Sequence, residues 1–461
     1  MDSSTDLSPQ PPRTLAGVAG TVITPEDAAY DEARAVFYGD TAKQPAMIVR
    51  VAGVEDVRRV IATARDHGYE LAVRSGGHSI AGHCTTEGGI VIDLRSMSAI
   101  EIDADDRSAW VETGATAIEV TEAAAKHGLV VGFGDSGSVG VGGITLAGGI
   151  GFLVRKFGLT IDSVLAAEVV TADGRHLRVD VDHHPELFWA LRGGGGNFGV
   201  VTRVRFRLHE MPQFTGGILV LPATPETIAS FAAASFAAPE ELSTIGNIMP
   251  APPAPFIPAN AHGRLVIVGM LAFAGNHSAA ERALAPFRSL ATPIADLVKE
   301  QPYAAMYPPE APNVHPTAIG RTMFLDGFDK QHAETIFDYL SKSDAAVRVA
   351  QLRVLGGAAA RVVSDATAYA HRSKAMLVNV AAFYTGPEDR EVRRQWVGDF
   401  AQAVQPNDSG AYVGFLGNEG AARVRSAYPG ETWRRLTQIK AMYDPENLFR
   451  LNQNIPPTGR G

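Results

Sequence analysis

The 461-residue chain contains one cysteine, Cys84, so no internal disulfide can form and a cysteine-caged metal site is not expected. Basic residues are scattered and outnumbered, 41 against 50 acidic, for a net charge of -9. Nucleic acid and anionic membrane are therefore poor partners, and the balance weakly favours neutral or cationic ligands. An ordinary negative surface accounts for the charge equally well. No stretch of 18 apolar residues runs without glycine or charge, so no membrane span is expected. The opening MDSSTDLSPQPPR lacks the basic-then-apolar pattern of a leader and reads as a flexible arm, here taken over residues 1–30; a cytoplasmic location follows as the expectation. GxxxxGK[ST], HExxH and GxSxG are all missing, which argues against phosphate-loop, zinc-hydrolase and serine-elbow chemistry. His183-His184-Pro185-Glu186 reads as a surface turn, and no metal is expected. No repeat of fixed period occurs.

With 46% hydrophobic and 20% charged residues the chain is globular, and its length corresponds to two or three domains. Residues 53–67 place Val54, Val57, Val60, Ile61 and Ala64 on one face, which predicts a helix. Strands are expected at 71–74, 89–94, 99–103, 109–114, 129–132 and 200–210, a helix at 115–127, a hairpin turning at Asp173-Gly174 and a short helix at 185–194. Met211-Pro212-Gln213 breaks the pattern. The middle, 212–411, is rich in alanine and proline, with buried strands expected at 264–273 and 375–383 and helices at 226–238, 278–290 and 330–343. A terminal helix stops at Pro445. The mixture predicts an α+β fold.

Glycine is abundant, 47 residues, and clustered. Nine glycines fall within residues 132–151, interleaved with Val, Ile and Leu. That composition predicts a buried loop, not a helix, whose backbone approaches something closely. GxGxxG occurs at Gly132–Gly134–Gly137 and at Gly194–Gly196–Gly199, but neither copy opens a helix, so a nicotinamide-type fold is not favoured. Arg74-Ser75-Gly76-Gly77-His78-Ser79 follows a strand. Its glycines let consecutive N–H groups form an anion nest suited to a cofactor pyrophosphate, with Arg74 adding charge. Alone, His78 reads as a polar loop residue in preference to a functional one; two further glycine-rich loops shift the reading to a long cofactor lying across all three.

Five ordered segments, RSGGHSIAGH, GSVGVGGITLAGGIGFLVRKFGLTIDS, VVTADG, PELFWALRGGGGNFGVV and YDPENLFRLNQNIPP, resemble the berberine-bridge-enzyme-like flavoproteins of the vanillyl-alcohol-oxidase superfamily, bacterial type. The resemblance covers about residues 30–211 and 410–457. It implies a two-part FAD-binding domain (31–211 and 412–461) with an inserted substrate domain (212–411) built on an antiparallel sheet flanked by helices.

What the resemblance implies for the site is specific. His78 would carry the flavin through its 8α-methyl. Ser136 stands where many members have a second linking cysteine, so a single link is expected, a hydroxyl being a far poorer nucleophile than a thiol. Cys84 lies out of register and reads as a small buried residue. Val139 occupies the oxygen-gate position, where valine goes with oxidase behaviour. Ser75, Gly76, Gly77, Ser79, Gly82, His83, Ser138, Gly140, Gly142, Gly143, Gly148, Gly149, Val201, Asn452 and Asn454 would line the cofactor. Tyr412 matches the base tyrosine of a Y-x-N-[FY] motif, with Gly414 replacing asparagine; a strand-core tyrosine is the alternative. Tyr369, His371 and Arg372 in TAYAHR and Asn379 in LVNVAAF fall near the pocket, and Tyr303, Tyr307 and Phe324 are roof or core residues. The expected activity is oxidation of a small alcohol or amine by FAD, with O2 as acceptor and H2O2 as product. Alternatives are a dehydrogenase using another acceptor and a flavoprotein without net substrate oxidation.

Overall fold

The computed structural model describes residues 15–41, 43–307, 314–407 and 410–459. Residues 1–14 lie outside it, but Thr21–Ile23 already pairs antiparallel with Met47–Arg50, so the chain enters a sheet well inside the stretch expected to be an arm. The Asp56 carboxylate accepts the N–H groups of Ala19, Gly20 and Ala52 at 2.8–2.9 Å and fixes that entry. The sheet continues with Ile90–Asp93 and Leu71–Arg74, both parallel. Helix Val54–His67 buries Val57, Val60, Ile61 and Ala64 against the core and ends at Gly68, whose φ of +72° suits glycine.

A second, antiparallel sheet runs Ile100–Asp103, Ser108–Glu112, Val200–Arg207, Val164–Val170, His176–Val179. A third contains eight strands. Its spatial order is Ala295–Asp296, Phe214–Pro222, Leu265–Ala274, Leu242–Pro250, Arg348–Val354, Met376–Phe383, Ala318–Leu325, with Lys299–Glu300 also on Phe214–Pro222. Alternation sorts its residues: Met376, Val378, Val380 and Ala382 enter one apolar cluster with helices Pro225–Ala237, Lys330–Lys342 and Gly386–Val404, while Leu377 joins Ile150, Tyr369 and Tyr412 on the opposite face. That second face looks onto the glycine-rich loops.

The α+β expectation holds. The glycine-rich segment does not remain a loop throughout: Val141–Ala147 is a short helix. Its glycines tolerate helical dihedrals, and close packing beside Thr113 and Ser75 overrides their low propensity. Leu242–Pro250, Ala318–Leu325 and Arg348–Val354 are strands that the pattern does not announce, because Gly, Asn, Thr and Arg interrupt their apolar runs. Among the described residues no helix is long and apolar enough to cross a membrane, and no side-chain cluster suits a metal ion.

The C-terminal tail is held by a buried ion pair. Lys440 Nζ donates to Asp444 (2.6 Å), to Asn197 O (2.7 Å) and to Phe449 O (3.2 Å), and Asp444 accepts the N–H groups of Leu448 and Phe449. Both side chains are fully buried. Lys440→Met strands the carboxylate, and a loss of about 3–5 kcal/mol in urea unfolding is the expected result.

Candidate active site

Three loops and the tail converge. At Gly76 and Gly140 two loops touch backbone to backbone: a Cβ on Gly76 would stand 2.2 Å from Gly140 N, and one on Gly140 would stand 2.0 Å from Ser75 Oγ. Ser75 Oγ donates to Thr113 O at 2.5 Å, and Gly142 N to the same oxygen at 3.2 Å. Gly77 has φ +80° and its carbonyl accepts from Phe37 N. The His78 ring stacks on Phe37 (centroids 4.2 Å apart, 19° between planes), and its Nε2 shares a 2.7 Å hydrogen bond with Ser138 Oγ. Ser136 Oγ lies 3.4 Å from Ser138 Oγ. Ser79 Oγ accepts from His83 N, and burial pushes the His83 ring to a pKa of about 4, so it is neutral at pH 7. Gly82 faces Thr41.

Arg74 departs from expectation. It is 1% exposed and its guanidinium lies on Asp93 at 3.1 Å, a carboxylate that Arg95 also grips at 2.7 Å. Arg74 therefore braces the loop from beneath and is not positioned as a charge in the nest.

Gly148 (φ +123°) and Gly149 (φ +79°) end the short helix. The Gly149 N–H donates to Tyr412 Oη at 3.0 Å, and a Cβ on Gly148 would meet the rings of Tyr369 and Tyr412 at 3.3 and 3.5 Å. Tyr412 is 2% exposed, edge-on to Phe415 at 5.1 Å and to Tyr369 at 6.3 Å. Burial raises its pKa; the N–H groups of Gly149 and Ile150 and the charge of Arg353 oppose that rise. Arg353, 3% exposed, bonds Asp135 (2.5 Å), Gln351 (2.8 Å) and Ile150 O (3.2 Å) and lies over the Phe415 ring. Burial drives the Tyr369 phenol far above its ordinary value.

Gly414 explains this arrangement. A Cβ there would fall 2.7–2.8 Å from Cζ and Oη of Tyr412, so the ring folds back only because residue 414 has no side chain. Gly414→Asn is expected to swing Tyr412 away from the Gly149 N–H; a crystal structure of the variant checks it, and an unmoved Tyr412 would refute the steric argument.

The other expected residues fall as follows. Asn379 is half-buried on the loop-facing side of the large sheet, opposite Gln351 and Thr322. Val139 is half-buried and its carbonyl accepts from Ala117 N; Gly143 opens onto free space on the short helix. Val201 sits within a strand and its carbonyl accepts from Thr113 Oγ1. Asn452 packs on Gly196, while Asn197 pins the tail by accepting from Ile455 N and donating to Gln453 O. Arg372 grips Asp162 through two 2.7 Å bonds, and His371 stacks on Phe324, so these two secure packing between segments. Tyr303 and Tyr307 share a 3.1 Å hydroxyl contact beneath Gly137. Phe37, Asp135 and Arg353 had no signal in the sequence beyond being ordinary aromatic and charged residues.

The cluster suits a flavin. Buried polar atoms of the surrounding elements, Tyr369 Oη, Thr145 Oγ1, Thr322 Oγ1 and Asn454 Oδ1, have no protein partner, and native structures rarely leave such groups unpaired. The backbone at Gly143, with nothing within 4 Å of where a Cβ would stand, leaves room for close approach of a long polar ligand.

Comparison with known proteins agrees. Residues 45–180 match the FAD binding domain model and residues 411–456 the berberine and berberine-like model. The chain is 32% identical to (R)-6-hydroxynicotine oxidase of Paenarthrobacter nicotinovorans over 97% of this chain and 98% of that one, and 29% identical to an uncharacterised FAD-linked oxidoreductase, YgaK, of Bacillus subtilis over 96% and 98%. The crystal structure of 6-hydroxy-D-nicotine oxidase from Arthrobacter nicotinovorans superposes with a TM-score of 0.86 at 29% identity, covering 96% of this chain and 99% of that one. Chitooligosaccharide oxidase, at 22% identity and TM-score 0.81, shares the fold. With glycine loops, tail and sheet face converging as they do in a chain matched end to end, this protein belongs to the berberine-bridge-enzyme-like family of FAD-linked oxidoreductases.

Proposed function

We propose that this protein is an FAD-dependent oxidase of a small organic alcohol or amine, with its flavin joined through His78 alone and O2 as the acceptor. The observation that carries the reading is His78 itself: a loop-tip imidazole stacked on Phe37 and hydrogen-bonded to Ser138, with serine, not cysteine, at position 136. Residues 31–211 and 412–461 would hold the cofactor and 212–411 would roof the substrate. Ser75, Gly76, Gly77, Gly140 and Gly142 would cradle the pyrophosphate, and Asn452 and Asn454 would close the tail over the site.

Bound FAD supplies a hydride acceptor. Tyr412, ionised to a phenolate that the Gly149 N–H stabilises, takes the substrate's O–H or N–H proton at Oη and becomes the neutral phenol. Asn379 orients the substrate from the sheet face. Val139 leaves room for dioxygen. The decisive assay is aerobic: a panel of alcohols and amines is screened for H2O2, and the photoreduced protein is mixed with air. Substrate-dependent peroxide and immediate reoxidation support the oxidase. Slow reoxidation with turnover on an artificial acceptor makes it a dehydrogenase. Ser136→Ala is expected to keep its colour after acid precipitation; loss would place the link, or part of it, at Ser136.

A further inference from the structure

A groove of about 560 Å³ lies between the segment following His78, the edge strand Ala318–Leu325, helix Gly386–Val404 and the loop at 417–419. That volume is in the range of small-molecule sites. Its charge is opposite to that of the whole chain. Lys43, Arg321, Arg390, Arg394 and Arg423 line it, and Glu419 is the one carboxylate lining it among the described residues. Glu419 is shared, 3.3 Å from Arg423 and 3.6 Å from Arg321, and Glu391 pairs with Arg394 from outside the groove. Counting both carboxylates leaves three positive charges in excess. Among the described residues, Lys43 makes one contact, at 3.4 Å to Gly82 O. The floor is apolar, from Ile80, Ile319 and Val397.

The position is as informative as the charge. Ile80–Gly82 begins two residues after His78, and Gly320 and Arg321 stand on the strand hydrogen-bonded to the one carrying Asn379. The groove therefore adjoins the space between the His78 loop and the large sheet.

We propose that this groove binds an organic carboxylate, its apolar body on Ile80, Ile319 and Val397 and its oxygens on Arg390, Arg394 and Lys43. Guanidinium groups match carboxylate geometry, and the fields of several cations in one groove add. The carboxylate is either the acidic end of the substrate, which deepens the oxidase reading and rests on it, or a separate anionic ligand.

The test uses purified flavin-loaded protein at low salt. Calorimetric titration with 2-naphthoate and with its neutral counterpart 2-naphthamide is expected to give at least tenfold tighter binding of the acid. Arg390→Glu/Arg394→Glu is expected to lower naphthoate affinity at least tenfold; Lys43→Glu supplies an independent disruption should the double variant fail to fold. Equal binding of acid and amide, or naphthoate affinity untouched by charge reversal, overturns the proposal. A second arm compares oxidation of benzyl alcohol and 4-(hydroxymethyl)benzoate. A higher kcat/KM for the acid, abolished by charge reversal, assigns the groove to the substrate; acid binding without such a preference assigns it to a separate ligand. Naphthoate binding with no alcohol or amine oxidised upholds the groove and overturns the oxidase reading instead.

Discussion

His78→Ala is expected to release the flavin on acid precipitation, whereas the wild-type pellet stays yellow. The effect is all-or-none because the site contains no substitute nucleophile. Ser136 and Ser138 are hydroxyls, far less acidic than a thiol. Cys84 is buried, and desolvation pushes its thiol pKa up, which makes it inert. Loss of His78 also removes one partner of Phe37 and one of Ser138, so the variant is expected to bind FAD reversibly and more weakly, measurable by flavin fluorescence on dilution. Colour released from the wild type would overturn the covalent assignment and leave the fold standing.

Tyr412→Phe is expected to slow anaerobic flavin reduction by about 10²- to 10⁴-fold, the usual range for removing a positioned base. The pH profile separates this from misfolding. A base must first lose its own proton, and burial holds the Tyr412 phenol above its ordinary value. In the wild type the rate therefore climbs as pH rises toward that pKa; in the variant the limb disappears. The substitution also leaves the Gly149 N–H without its acceptor in a buried setting, at about 1–3 kcal/mol of stability. Thermal unfolding measures that separately. Reduction within threefold of wild type, with the alkaline limb intact, would assign the proton to another group.

Part of this was readable from residues alone, and the readable part is local. Val54–His67 follows from five apolar positions at helical spacing. The strand Met376–Phe383 follows from an apolar run; that Leu377 and Val378 enter different clusters is a finding of the structure. The need for close backbone approach at residues 132–151 is written in their glycines, although the same composition concealed the helix Val141–Ala147. Strand Leu242–Pro250 stayed hidden because Gly246, Asn247 and Pro250 weaken its propensity; nine register pairs with Leu265–Ala274 form it nonetheless.

The order of motifs by itself determined the family, the candidate flavin-linking histidine and the missing second cysteine, since each is a matter of residue type at a position along the chain. Only the tertiary structure decided where the charges and phenols point. Arg74 turns to Asp93 and away from the nest; Tyr412 folds over Gly414 to reach Gly149, 263 residues earlier in the chain. Five cations from four segments meet in one groove of a protein whose net charge is -9. Composition averages charge over the molecule and periodicity sees only neighbours along the chain, whereas electrostatics and hydrogen bonding depend on distances of a few ångströms, which strand register and packing between remote segments set.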